Sequence, residues 1–214
     1  MEKAFLYHGL FMIATLCQGP FACTSGYGLV FYQGLCYQKE KKIFIDEALY
    51  KPLKIRPSKI EDAGILTSLS FESKKYWGYP DHFFETWKKE LFISPDYIRQ
   101  NRVFVAKDKG RILGYYSLVH LENDIDASGI LLLKGHWLEH MFILPDFIGK
   151  GIGKTLFHHL KIICREHGIS RVSILSDPNA REFYEKMGCQ YIKEIASTIP
   201  NRTTPLLILT LWPE

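Results

Sequence analysis

The run Ile148-Gly149-Lys150-Gly151-Ile152-Gly153-Lys154-Thr155 places three glycines and two lysines between a strand-like and a helix-like segment. Glycines at such a junction remove the Cβ atoms that would keep phosphate oxygens from backbone N–H groups, and a helix N-terminus adds partial positive charge. The chemistry this suits is binding of a phosphorylated ligand. Upstream, Trp137 to Leu144 is apolar and aromatic enough for a largely buried strand, ended by Pro145-Asp146. Downstream, Leu156, Leu160 and Ile163 repeat at helical spacing until His167-Gly168 gives a cationic last turn and a glycine stop.

Counting narrows the choice of phosphate loop. A P-loop, G-x-x-x-x-G-K-[ST], fits Gly153-Lys154-Thr155 but needs glycine where Ile148 stands. The dinucleotide fingerprint G-x-G-x-x-G, begun at Gly149 and Gly151, needs glycine where Lys154 stands. What remains is Arg/Gln-x-x-G-x-G/A after a strand. Gly151 and Gly153 match that pattern, and Ile148 departs from it at the Arg/Gln position.

That loop resembles the acyl-CoA pyrophosphate loop of the GCN5-related N-acetyltransferase (GNAT) family. Asn179-Ala180 followed by Phe183-Tyr184-Glu185-Lys186-Met187-Gly188 is similar to the family's second signature, one strand further on. From Leu53 to Trp212 the order of elements also resembles the family's: a strand, two helices, a three-strand antiparallel meander, the loop helix, a strand, a short helix and a final hairpin. The resemblance implies an α/β (α+β) fold with a mixed, mostly antiparallel central sheet, splayed between strands 4 and 5 and flanked by helices. It implies acetyl-CoA as co-substrate and transfer of its acetyl group to a primary amine by direct attack in a ternary complex. Pantetheine would lie between the splayed strands against the backbone of Phe142 and Ile143. The run Ile148, Gly149, Lys150, Gly151, Ile152, Gly153, Lys154, Thr155 would bind the cofactor, with Asn179 and Lys186 adding contacts.

Acyl transfer sets its own demands. An amine of ordinary pKa near 10.4 must lose a proton before attack, and the departing thiolate must gain one. By the resemblance, Tyr184 is the acid; its helix has Asp177 as N-cap, Pro178 at N1 and Gly188 at C′. Without the resemblance, Tyr184 reads as core, on the stripe Ala180, Phe183, Tyr184, Met187. Glu139 is the favoured base, with His140 or water as substitutes. Strand alternation expects Glu139 to share a face with Met141 and Ile143, and His140 to lie on the other with Leu138 and Phe142. For the acceptor, the cluster Ser73 to Pro80 offers Trp77 and Tyr79 to a bound amine, and Arg202 offers a charge to an acceptor carboxylate. A small or amino-acid-like amine is expected rather than a basic peptide. A non-catalytic acyl-CoA sensor and, further off, a P-loop-like nucleotide-binding protein are the alternatives.

Composition is consistent with one catalytic domain over residues 51–214 and an extension over 1–50. A net charge of +4 from 27 basic and 23 acidic residues carries no nucleic-acid footprint. The five cysteines, Cys17, Cys23, Cys36, Cys164 and Cys189, form neither a zinc pattern nor a disulfide framework, so no metal and a reducing cytoplasm are expected. The apolar run Leu10 to Leu16 is too short to span a bilayer, and its flank lacks the positive charge of a signal peptide. It reads as an extra packed segment or as a start assigned too far upstream. Gln38 to Lys42 reads as a linker or a solvated boundary. No membrane partner is expected, and a homodimer is left open.

Overall fold

A computed structural model describes residues 30–32, 35–37, 53–127 and 129–212. The chain divides into two units between Tyr50 and Lys51. In the first, Val30–Tyr32 pairs antiparallel with Leu35–Tyr37, Phe31 opposite Cys36. The apolar run 10–16, Cys17, Cys23 and the polar stretch 38–42 lie outside the described residues.

The second unit is built on a seven-stranded sheet. Its strands are β1 (Lys54–Pro57), β2 (Arg102–Asp108), β3 (Arg111–Leu121), β4 (Gly135–Ile143), β5 (Arg171–Leu175), β6 (Gln190–Ala196) and β7 (Thr203–Thr210). They lie in the order β6-β7-β5-β4-β3-β2-β1, and every pair is antiparallel except β4 with β5. The helices are α1 (Ala63–Lys75), α2 (Asp81–Trp87), α3 (Pro95–Gln100), α4 (Ile152–Glu166) and α5 (Arg181–Lys186). Where two helices were expected between the first strand and the meander, three form. Gly78, at φ 68°, and Pro80 end the first helical region. The Ser94 hydroxyl then accepts from the Tyr97 N–H at 2.9 Å and, with Pro95 at N1, starts a third.

Strand β3 is buried from Ile112 to Leu118, because helices cover both faces of the sheet. Alternation sends its two consecutive tyrosines in opposite directions. The Tyr115 hydroxyl meets Ser70 of α1 at 2.6 Å, and the Tyr116 hydroxyl meets His159 of α4 at 2.9 Å. The apolar stripe of α4 fills its side of the core with Leu156, Phe157 and Leu160, all fully buried. Burial of each such side chain stabilises by about 1.5–3 kcal/mol. Gly168, at φ 66°, ends that helix.

Two irregularities mark β4. Against β3, Ser117 lies opposite His140 and Leu118 opposite Leu138, so Glu139 is an extra residue, a β-bulge. Against β5, pairing runs only from His136–Leu138 to Val172–Ile174. Beyond Leu138 the two strands part. A small hairpin, Ile125–Ala127 with Ile130–Leu132, joins β3 to β4.

Candidate active site

The parting of β4 and β5 opens a cavity of about 840 Å³. Phe142 and Ile143 line its β4 side, and Leu175, Ser176 and Ala180 line the other. From Glu139 to Ile143 the strand edge has no β5 partner, so its backbone groups on that side are available to an extended ligand.

At one end lies the glycine loop. Gly149 and Gly151 adopt φ of 79° and 83°, and Gly151 is the N-cap residue of α4. Among the described residues, the N–H groups of Gly149, Gly151, Ile152, Gly153 and Lys154 have no backbone acceptor. Five unpaired amides at a helix start form an anion cradle. The Gly153 Cα lies close to α5: a Cβ there would stand 3.4 Å from the Phe183 ring. Ile148, Gly149, Gly151, Gly153 and Lys154 line the cavity. The other side chains of the run point elsewhere. Ile152 is in the core, Lys150 lies over the Phe147 ring at 5.1 Å, and Thr155 Oγ1 donates back to the Gly151 carbonyl at 3.1 Å.

Tyr184 is both core and site. It is buried, packed edge-on against Phe157 and Phe183, yet it lines the cavity. Its hydroxyl makes no hydrogen bond to the described residues, and burial pushes its pKa above the ordinary phenol range. A phenol held neutral, with its proton uncommitted, is a proton donor in waiting.

Glu139 and His140, expected on opposite faces, converge on one hydroxyl. The bulge is the physical reason, since the extra residue breaks alternation between them. The Tyr97 hydroxyl of α3 lies 2.5 Å from Glu139 Oε2, 2.7 Å from Ser117 Oγ and 3.0 Å from His140 Nδ1. His140 Nε2 donates to the Glu90 carbonyl at 2.9 Å, because a carbonyl can only accept, and this leaves Nδ1 facing Tyr97 and Ser117. Burial, then the neighbouring Glu139 charge, hold the Tyr97 hydroxyl well above its ordinary pKa, so it stays protonated. Its one proton goes to the carboxylate. Sequence reasoning missed Tyr97 and Ser117; their part depends on which strands become neighbours.

Tyr79 and Arg202 come together, but not as free binding groups. Asp177, which also caps the turn before α5 by accepting from the Asn179 N–H, accepts from Lys74 Nζ at 2.6 Å, Tyr79 at 2.8 Å and Arg202 at 3.4 Å. Both cations lie over the Tyr79 and Trp87 rings. Burial favours a raised Asp177 pKa, but the Lys74 ammonium and the hydrogen bonds outweigh it and hold the carboxyl below its ordinary value. Burial lowers the Lys74 pKa, against the opposing pull of Asp177. Asn179 Nδ2 donates into the same cluster. Trp77 lines the cavity, whereas Tyr79 does not. Lys186 is exposed and paired with Glu182 at 3.0 Å, away from the cavity.

A mostly antiparallel sheet that splays at one parallel pair, with a glycine cradle at the mouth of the gap, defines an acyl-CoA-type N-acetyltransferase architecture. The profile of the Acetyltransferase (GNAT) family matches residues 69–189, more than half of the chain, and the protein belongs to that family. It is 33% identical over 87 residues to a glucosamine 6-phosphate N-acetyltransferase of Trypanosoma brucei brucei, covering 41% of this chain and 56% of that relative. The chain thus spans little more than half of that relative's length. The fold is similar to that of a GCN5-related N-acetyltransferase from Rhodopseudomonas palustris (TM-score 0.59, 17% identity, 74% of this chain and 96% of that one). It is also similar to the PaiA N-acetyltransferase from Thermoplasma acidophilum, solved in complex with coenzyme A (TM-score 0.58, 20% identity, 74% and 99%). Among the described residues no helix is long and apolar enough to cross a membrane.

Proposed function

We propose that this protein transfers the acetyl group of acetyl-CoA to a primary amine by direct attack within a ternary complex. The observation that carries the reading is the convergence, in one cavity, of the glycine loop with its unpaired amides, an uncommitted Tyr184 hydroxyl and the Glu139 carboxylate. A cavity with amides at a loop and a proton donor and carboxylate elsewhere along it suits a long ligand with an anionic middle and a reactive end. The thioester supplies the activated acyl carbon. The amides of Gly151 to Lys154 hold the pyrophosphate, and the open edge of β4 at Phe142 and Ile143 takes the pantetheine and orients the thioester oxygen.

Glu139 takes the proton that the ammonium must lose before attack, and the Tyr97 hydroxyl, itself set between Ser117 and His140, holds the carboxylate in place. As the C–S bond breaks, Tyr184 donates its proton to the leaving sulfur, and the second proton that the nitrogen sheds on becoming an amide returns to the phenolate. Asn179, Arg202 and Tyr79 act through Asp177, fixing the turn that carries Tyr184. A small-molecule acceptor accords with the name of the trypanosomal relative, and dependence on acetyl-CoA favours a cytoplasmic location.

Calorimetric titration with acetyl-CoA and with ATP, followed by thiol release over a panel of amines, tests the reading. Binding of acetyl-CoA with amine-dependent release is the expected result. Binding of ATP alone would return the loop to the nucleotide readings, and tight acetyl-CoA binding with no release from any amine would leave a sensor.

A further inference from the structure

The cavity continues past Glu139, and its character changes there. On the sheet face covered by α1, its wall is Val119, Leu121, Ile125, Ile130, Leu132 and Trp137, from β3, β4 and the small hairpin between them. The hairpin is fastened at its base and across its turn. Asp124 Oδ1 accepts from the Lys134 N–H at 2.7 Å, and Asp126 Oδ1 accepts from the Gly129 N–H at 2.6 Å. Trp137 Nε1 donates to the Leu133 carbonyl at 2.8 Å. The one polar atom of the indole is thereby satisfied, and the ring presents an apolar surface to the cavity.

The charges around this end that lack a counter-ion are negative. Glu139 and Glu90 line the cavity, whereas Lys74 and Arg202 are both held on Asp177, and Lys154 sits at the glycine loop. An acceptor phosphate or carboxylate therefore finds no uncommitted cation among the described residues at this end. An ammonium finds a carboxylate, and a hydrocarbon body finds a wall.

We infer that the acceptor is an amine carried on an apolar body, an arylalkylamine or branched alkylamine, with its ammonium at Glu139 and its body against Trp137 and the hairpin. The inference rests on the acetyl-transfer reading and names its substrate class. A longer acyl chain on the donor is the competing occupant. To reach the hairpin such a chain must pass Glu139 and strip water from a carboxylate without compensating it, which is unfavourable. The amine uses both features at once.

The test is steady-state thiol release with 2-phenylethylamine, isoamylamine, glycine and glucosamine 6-phosphate as acceptors, and with acetyl-CoA and hexanoyl-CoA as donors. The apolar amines should show kcat/KM about tenfold or more above the polar ones. In Ile125→Glu, at a position already 44% exposed, KM for 2-phenylethylamine should rise by about 10- to 100-fold, with acetyl-CoA affinity by calorimetry unchanged. A higher kcat/KM for glucosamine 6-phosphate or glycine overturns the inference. So does a preference for hexanoyl-CoA in which Ile125→Glu changes the donor KM rather than the acceptor KM. Release from polar amines alone removes this inference and leaves acetyl transfer standing; release from no amine removes both.

Discussion

The Tyr97 hydroxyl lies 2.5 Å from a Glu139 carboxylate oxygen, across 42 residues of sequence. Helix α3 thus reaches over the sheet to fix the one carboxylate that the bulge of β4 turns into the cavity. Glu139→Gln should lower kcat by about 10²- to 10⁴-fold, the ordinary worth of a positioned base. Tyr97→Phe removes a charge-assisted hydrogen bond and should cost about tenfold in kcat. Neither should alter acetyl-CoA affinity. Steady-state kinetics beside calorimetry check both, and a weakened acetyl-CoA complex would show that the pair supports the cofactor slot instead.

Tyr184 invites a cleaner experiment, since its hydroxyl has no partner among the described residues. Tyr184→Phe leaves no protein group unsatisfied, so the change in unfolding free energy should stay below about 1 kcal/mol. The rate should nonetheless fall by about 10²-fold or more if the hydroxyl protonates the sulfur. A rate loss accompanied by an equal loss of stability would assign Tyr184 to the core alone.

At the loop, Gly151 has open space around it but a φ of 83°, so Gly151→Val meets backbone strain of about 1–3 kcal/mol rather than a clash. The cradle should distort and acetyl-CoA affinity should fall about tenfold or more, by that same range of energies. Gly153→Ala keeps a helical φ and brings its Cβ to 3.4 Å from Phe183, so its effect should be smaller. If Gly151→Val binds acetyl-CoA like the parent protein, the loop does not hold the pyrophosphate.

Ile148 stands at the cavity where the family pattern has Arg or Gln. Ile148→Arg should add a charge-assisted contact to the pyrophosphate, tighten acetyl-CoA by about tenfold and make binding more sensitive to salt. Titrations at two ionic strengths decide it; unchanged affinity would mean that the amides already satisfy the ligand.

Asp177 predicts an acid limb of stability. Its folded pKa lies below the ordinary 3.8, held down by Lys74 and hydrogen bonds against the opposing effect of burial. Between the folded and unfolded values the unfolded chain binds more protons, so this contribution is complete above about pH 5 and is lost as pH falls through the folded value. Asp177→Asn should flatten that part of the profile. It should also cost up to about 3 kcal/mol at neutral pH, because Lys74 and Arg202 lose the counter-charge they share. Urea melts at several pH values measure both effects.

What the sequence made legible was mostly local. Gly151, Gly168 and Gly188 mark helix ends by their own backbone requirements, and Asp177-Pro178 announces the turn before α5. Such signals need no knowledge of the rest of the fold. The signal for α3, Ser94-Pro95, was equally local but stood in a region assigned to two helices. Tyr97, Ser117 and Lys74 were illegible for a different reason: each matters because of a partner on a distant element. The placement of Glu139 and His140 failed on register, since a bulge exists only relative to the strand across from it, and nothing within Leu138 to Met141 announces one. Arg202 and Tyr79 were legible as charge and ring, but not as partners already engaged by Asp177.

Between Trp137 and His140 the fourth strand changes parity. Val119 and Ser117, two apart on β3, face one side of the sheet, and their partners are Trp137 and His140, three apart on β4. In an unbroken strand an odd separation puts two side chains on opposite sides. Here the added residue lets an apolar indole and a polar imidazole look the same way, and that residue is Glu139. Removing one position there would send either the indole or the imidazole to the α4 side. The wall that selects a substrate and the groups that take its proton are therefore joined by a single count of residues, and neither can be slid along the strand without the other.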